Sequence, residues 1–185
     1  MTTTTNSDWS IDTVHSGINF SVRHMVVSKV RGRFTKYSGT LAIDDADLTR
    51  STVEATIDAA SIDTGTAQRD THLRSPDFLD VERFPEIRFR STRIHKVADD
   101  RYHLIGDLTV RDVTRAVSLD VEYGGQAKDP WGNARIGFIA KATLDRKDFG
   151  LLWNQLLEAG GVLVGERVDI ELEVQGVKAA AELAA

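Results

Sequence analysis

The stretch Ile136-Gly137-Phe138-Ile139-Ala140-Lys141-Ala142-Thr143-Leu144 decides the fold class. Ile136, Phe138, Ala140, Ala142 and Leu144 form one apolar file, with Gly137, Ile139, Lys141 and Thr143 between them. A period of two is the pleat of a strand with one buried face, whereas a helix would place its apolar residues three and four apart. Working outward, the rhythm returns in Val168, Ile170, Leu172 and Val174 against Asp169, Glu171 and Glu173. Before the stretch it runs through Val117, Leu119 and Val121, through Val53, Ala55, Ile57 and Ala59, and through Ile18, Phe20 and Val22. Less regular strands are expected at about 31–44, 86–97 and 101–111. The chain therefore reads as about eight strands, many of them near ten residues long.

Turn residues punctuate these strands at Asp99-Asp100, Gly124-Gly125, Asp129-Pro130-Trp131-Gly132-Asn133 and Gly160-Gly161. Long strands joined by short turns imply an antiparallel meander. Such a sheet must bury its apolar face and protect its edges, and closing into a barrel does both. A two-sheet sandwich would satisfy the same alternation. Two segments break the rhythm. Gly65-Thr66-Ala67-Gln68-Arg69-Asp70-Thr71-His72-Leu73-Arg74 has helix formers and a Thr cap, and it continues into a Pro-bracketed stretch as far as Pro85. Phe149 to Leu163 is the second excursion and carries Trp153. Long excursions in compact domains are often lids or binding loops.

The totals narrow the function classes. A chain of 185 residues fits one domain, and at that size it buries roughly 70% of its unfolded surface without needing a disulfide or structural metal. It divides into a flexible leader at 1–7, one barrel domain at 8–177 and an Ala-rich tail at 178–185. With no cysteine, thiol catalysis, Cys-held zinc and iron–sulfur clusters are excluded. The net charge of -5 disfavours general nucleic-acid binding, which needs a basic face. No stretch approaches the ~20 apolar residues of a membrane-spanning helix. The segment Met1-Thr2-Thr3-Thr4-Thr5-Asn6-Ser7-Asp8 lacks the basic and apolar regions of a secretory signal, so a cytoplasmic location is expected.

Catalytic motifs are equally scarce. No Gly-x-Ser-x-Gly elbow occurs. Asp148-Phe149-Gly150 spells a kinase signature without the loops that go with it. Gly161-Val162-Leu163-Val164-Gly165-Glu166 lacks the Gly-Lys-Ser/Thr ending of a phosphate loop. His15, His24, His72, His95 and His103 show no metal-ligand spacing, and no catalytic residue, metal or cofactor is assigned.

An ordered set of segments carries a resemblance. Trp9-Ser10-Ile11-Asp12, His15-Ser16, Phe20-Ser21-Val22-Arg23-His24-Met25 and Val30-Arg31-Gly32-Arg33-Phe34 open it. Arg69-Asp70-Thr71-His72-Leu73-Arg74-Ser75-Pro76-Asp77-Phe78-Leu79-Asp80 with Phe84-Pro85, then Leu144-Asp145-Arg146-Lys147-Asp148-Phe149-Gly150-Leu151, continue it. Together they resemble the YceI-like family of lipocalin-like proteins. The resemblance implies an eight-stranded antiparallel barrel with a short helical insertion near 66–85. It also implies a polyisoprenoid or similar long-chain amphiphile in an elongated lumen, and often a homodimer. Many relatives are exported to the periplasm, a location the opening residues of this chain do not suggest.

The chemistry is compatible with that implication. Ten-residue strands tilted at roughly 40° make a barrel tens of ångströms long, and eight strands leave room for one narrow ligand. Candidates for the lumen wall are Phe20, Val22, Phe34, Phe78, Phe84, Phe89, Phe138, Phe149 and Trp153. Each taken singly reads first as ordinary core, with Phe78, Phe149 and Trp153 set apart by lying in the excursions. His24 shares the parity of Phe20 and Val22 and is expected to point inward with them. It joins His72 and Arg74 as a candidate for a polar headgroup, because imidazole and guanidinium are the natural donors to an anion. A solvated helix with Arg–Asp pairs would account for His72 and Arg74 as well. Two rivals to a carrier are an enzyme acting on the lipid through His24 or His72, and a stress-related barrel without a lumenal ligand.

Overall fold

The computed structural model describes residues 6–158 and 160–179. Its strands are β1 (Asn6–Ile11), β2 (Gly17–His24), β3 (Ser28–Phe34), β4 (Tyr37–Asp44), β5 (Thr52–Asp58) and β6 (Ile62–Asp63), then β7 (Glu86–Lys96), β8 (Arg101–Val110), β9 (Val113–Lys128), β10 (Ala134–Asp145) and β11 (Val164–Lys178). One helix, α1 (Ala67–Arg74), lies between β6 and β7. All pairings are antiparallel, and they close an eight-stranded barrel.

The described strands fill eight wall positions because three positions are built from interrupted strands. β1 and β2 both lie along β11, with Ser10 opposite Val177 and Val22 opposite Val168. β4 pairs with β1 and β3 with β2; β5 pairs with β4 and β6 with β3. The interruptions fall side by side. Tyr37 Oη donates to the Ser16 carbonyl at 2.7 Å, and the Thr35 and Lys36 amides donate to the Ser61 carbonyl and hydroxyl. The wall thus bends along one line without losing its backbone partners. The stretch expected as one strand at 31–44 is broken at 35–36 by that bend, and the alternation read as far as Ala59 ends in a 3₁₀ turn, Ala59–Ser61.

From β7 to β11 the wall is continuous, and its apolar files meet in register, as in Leu144 opposite Val168 and Phe138 opposite Val174. Gly124-Gly125, expected as a turn, is a β-bulge inside β9. Gly137 faces Gly125 while Phe138 faces Tyr123, so Gly124 is the extra residue, and Gly125 has φ 95°. The turn falls at 129–133, where the Asp129 side chain accepts from the Trp131 and Asn133 amides. β1 begins at Asn6 and β11 ends at Lys178, so Asn6, Ser7 and Lys178 belong to the barrel rather than to the expected leader and tail. The rest of that leader and all of the tail except Lys178 and Ala179 lie outside the described residues.

Two separate cores result. Trp9, Leu41, Ile43 and Ile136 pack at the end where β9 turns into β10. Ala59, Ile62, Leu79, Ile87, Val110 and Phe149 pack at the opposite end, beneath the segment that follows α1. Thr66 occupies the N-cap of α1, but its side chain does not cap it; the hydroxyl accepts from Arg69 at 3.1 Å instead. The turn before the helix is held by buried Asp70, which accepts from the Thr64 amide at 2.9 Å.

Candidate ligand cavity

Between the two cores the inward faces of the strands enclose a cavity of about 360 Å³, whose accessible wall is apolar. That volume lies within the range of small-molecule sites. Phe20, Val22, Phe34, Phe78, Phe89, Phe138 and Phe149 all line it. Two of these rings show how the lumen stays wide. A Cβ added at Gly32 would lie 2.3 Å from Phe20 Cζ, and one at Gly106 would lie 2.4 Å from Phe89 Cζ. Both rings therefore lie flat over a glycine of the neighbouring strand instead of standing into the lumen.

Phe84 and Trp153 do not line the cavity. The Phe84 ring packs under the guanidinium groups of Arg83 and Arg111, 5.0 and 5.6 Å from its centroid. Trp153 meets the edge of His72 at 4.6 Å and lies 5.4 Å from Phe78. The two excursions thus clasp each other through three rings, of which Phe78 alone reaches the lumen.

The polar candidates sit elsewhere than expected. His24 keeps the parity of Phe20 and Val22, but it is the last residue of β2, opposite Val164 and Ser28. Inward parity at a strand's end places it on the rim, outside the cavity lining. His72 Nε2 bonds the Asp77 carboxylate at 2.8 Å. Arg74 donates through Nε to the Ala60 carbonyl and through Nη2 to the Ile62 carbonyl, at 2.7 and 2.8 Å, and so staples α1 to the wall outside the cavity lining. His15 bonds Asp12 at 2.9 Å, in the β1–β2 connection.

The cation that does line the cavity is Arg146, which is 4% exposed. Its guanidinium donates to the carbonyls of Gly165 (2.9 Å), Leu151 (2.5 Å), Trp153 (2.9 Å) and Val164 (3.4 Å), and so ties the 150–163 loop to β11. Burial pushes its pKa below the usual guanidinium value by desolvating the cation, and the nearby Glu166 and Asp145 charges oppose that shift. The signal was in the sequence: the inward file of β10, extended by one more alternate position, lands on Arg146.

At the opposite end an ion network joins the β1–β2 connection to the β9–β10 turn. Arg135 bridges Asp12 and Asp129, the latter at 2.9 Å. The Asp12 carboxyl is held at about 2, chiefly by its bond to His15, with Arg135 and the Val14 and His15 amides adding to it against desolvation. Asp129 is also held at about 2, chiefly by the Asn133 side chain, with Arg135 and backbone amides adding to it. Among the described residues no three acidic or His side chains converge as a metal site, and no helix is long and apolar enough to cross a membrane.

A closed antiparallel barrel with an apolar lumen and a helical insertion defines a lipocalin-like protein. The YceI-like domain model matches residues 9–176, and the chain belongs to that family. A UPF0312 protein of Vibrio cholerae is 36% identical over 174 residues, covering 93% of this chain and 88% of its own. Two solved structures share the fold. BcnA of Burkholderia cenocepacia superposes with a TM-score of 0.78 at 21% identity, over 89% of this chain and 98% of its own. A polyisoprenoid binding domain from Saccharophagus degradans, implicated in plant cell wall breakdown, does so with a TM-score of 0.68 at 16% identity, over 92% and 98%.

Proposed function

We propose that this chain binds one long-chain amphiphile of the polyisoprenoid kind in its lumen and serves to store or carry it. The observation that carries this reading is the cavity of about 360 Å³ lying between two separate apolar cores. A barrel built only for stability would fill that space with side chains. Here two phenylalanines are instead folded back over glycines. Each CH₂ taken from water into such a wall contributes about 0.8 kcal/mol, so a prenyl chain needs few polar contacts to be held. The solved domain from Saccharophagus degradans, described as polyisoprenoid binding, shares the fold and supports the ligand class. Arg146 spends its donors on the Leu151, Trp153, Val164 and Gly165 carbonyls, so it orders the loop end of the lumen while the accessible wall stays apolar.

The histidines through which a lipid-modifying enzyme was expected to act, His24 and His72, do not line the cavity, which favours binding over that chemistry. The test is native mass spectrometry of the freshly purified protein, followed by delipidation and titration with a polyprenol. A co-purifying prenyl lipid, or stoichiometric uptake of the polyprenol, is the expected result. A delipidated barrel that takes up no polyprenol overturns the reading.

A further inference from the structure

The β2–β3 arm differs in charge from the rest of the molecule. Residues 17–34 contain Arg23, Lys29, Arg31 and Arg33 and no Asp or Glu, in a chain of net charge -5. These four cations alternate with the inward file of β2 and β3, so they share the outer face. Lys29 is answered by Asp169 at 3.0 Å and Arg33 by Asp63 at 3.1 Å. Among the described residues Arg23 and Arg31 have no carboxylate partner.

The tip of this arm is Met25-Val26-Val27, and it is apolar and exposed, with Val26 68% and Val27 85% accessible. Its backbone is unfavourable for these residues: Met25 has φ 51° and Val26 φ 65°. A β-branched side chain at positive φ is an outlier, and a relaxed hairpin would place Asn and Gly there. Beside the tip runs the 150–163 loop, tied to it by the Met25 amide donating to the Leu163 carbonyl at 2.9 Å. That loop exposes Leu152 and Leu156, the latter 81% accessible. Its base, Leu151 and Val164, is already cavity wall. The apolar surface of the lumen thus continues outward onto two projecting tips backed by unpaired cations.

We propose that this end of the barrel docks on an anionic lipid bilayer, with Met25, Val26, Val27, Leu152 and Leu156 entering the interface and Arg23 and Arg31 facing the headgroups. A convex apolar tip with a basic collar is the combination that a bilayer interface accepts. The backbone strain at Val26 is kept because the relaxed Asn-Gly tip would not partition. Docking uses the exterior of the barrel and does not depend on the identity of the cargo.

The test is co-sedimentation of the full chain, without added cargo, with vesicles of phosphatidylcholine alone or mixed with phosphatidylglycerol. The wild type is expected to partition onto the phosphatidylglycerol vesicles, less so as salt rises, and to stay off phosphatidylcholine. The pair Met25→Asn with Val26→Gly relieves the strained turn, so thermal stability holds or rises while partitioning falls about tenfold or more. Arg23→Gln and Arg31→Gln each lower it about fivefold. A wild type that remains in the supernatant, or an Asn-Gly tip that partitions as well as the wild type, overturns the proposal. A tip variant that changes the oligomeric state of a protein with no vesicle affinity assigns the tip to self-association and also overturns it. A barrel that docks but takes up no polyprenol would refute the proposed cargo and leave the docking intact.

Discussion

Where β9 turns into β10, the barrel is shut by its own strands: Trp9, Leu41, Ile43 and Ile136 pack inside it, and Arg135 clasps Asp12 and Asp129 across the rim. At the other end the strand residues Ile62, Ile87 and Val110 are joined in the core by residues of the excursions. Leu79, Phe149 and the α1 segment are laid in as a cap, and Arg146 and the His72–Phe78–Trp153 rings hold its parts together. A floor made of wall residues can open only by breaking the sheet. A cap made of insertions can move while the ladders remain intact, and local opening draws on segments with few ladder bonds. Exchange of a lumenal ligand is therefore expected at the capped end.

The largest effect should come from breaking the floor. Trp9 is 1% exposed, and its indole N–H donates to Ser7 Oγ at 3.0 Å. Trp9→Ala should cost about 3–5 kcal/mol, read as a loss of global stability in urea unfolding. Arg146→Met tests the cap. It frees four carbonyls that water can partly re-satisfy, so about 2–3 kcal/mol is expected. Its signature is local: amide exchange should quicken in 150–165 and polyprenol release should speed up, while the amides around Trp9 stay protected. Equal loss of protection at both ends would erase the distinction between floor and cap.

The ion network at the floor gives a third, pH-dependent test. Asp12 and Asp129 both sit at about 2 in the folded chain, against 3.8 for the free side chain. Between those values the unfolded chain binds more protons than the folded one, so stability rises with pH there. It should be complete above about pH 4 and be lost progressively toward pH 2. Arg135→Gln should flatten that acid limb, measured by melting temperature across the window. A limb of unchanged steepness would mean that the His15 and Asn133 bonds hold the two carboxyls without Arg135.

The sequence made the two halves of the wall unequally legible. β9 to β11 show their period of two over long runs, and so Phe138 and its neighbours could be placed by parity, whereas β7 and β8 read less regularly and β7 carries a register shift between Ser91 and Arg93. In β1 to β6 the wall bends, and alternation survives in β2 and β5 but stops where the strands are interrupted. Trp9 therefore stood in a segment too short to show any period, although it is the centre of the floor. Phe84 and Trp153 were misplaced because parity does not operate in an excursion; their rings went to arginines and to His72. His24 obeyed parity and still missed the cavity, since parity gives a face and not a height along the barrel. Arg146 was legible but passed over, because a charged residue at the end of an apolar file reads as the end of the strand.

The smallest expected effect lies between the two ends, where the lumen is kept open. A methyl at Gly32 meets only the ring of Phe20, whereas one at Gly106 meets Phe89 and also the Arg90 carbonyl, 2.6 Å away. The ring can swing and the backbone cannot. Gly106→Ala should thus cost about 1–3 kcal/mol as overpacking, and Gly32→Ala about 1 kcal/mol or less. Yet Gly32→Ala must push the Phe20 ring off the wall and toward Phe34, whose centroid is 5.8 Å away, and so into the space of the ligand. Near-native melting combined with weaker polyprenol uptake is the expected outcome, with calorimetry for the first and titration of delipidated protein for the second. Full uptake with unchanged affinity would show that the ligand does not pass Phe20, and would confine it to the length of lumen between Phe20 and the floor.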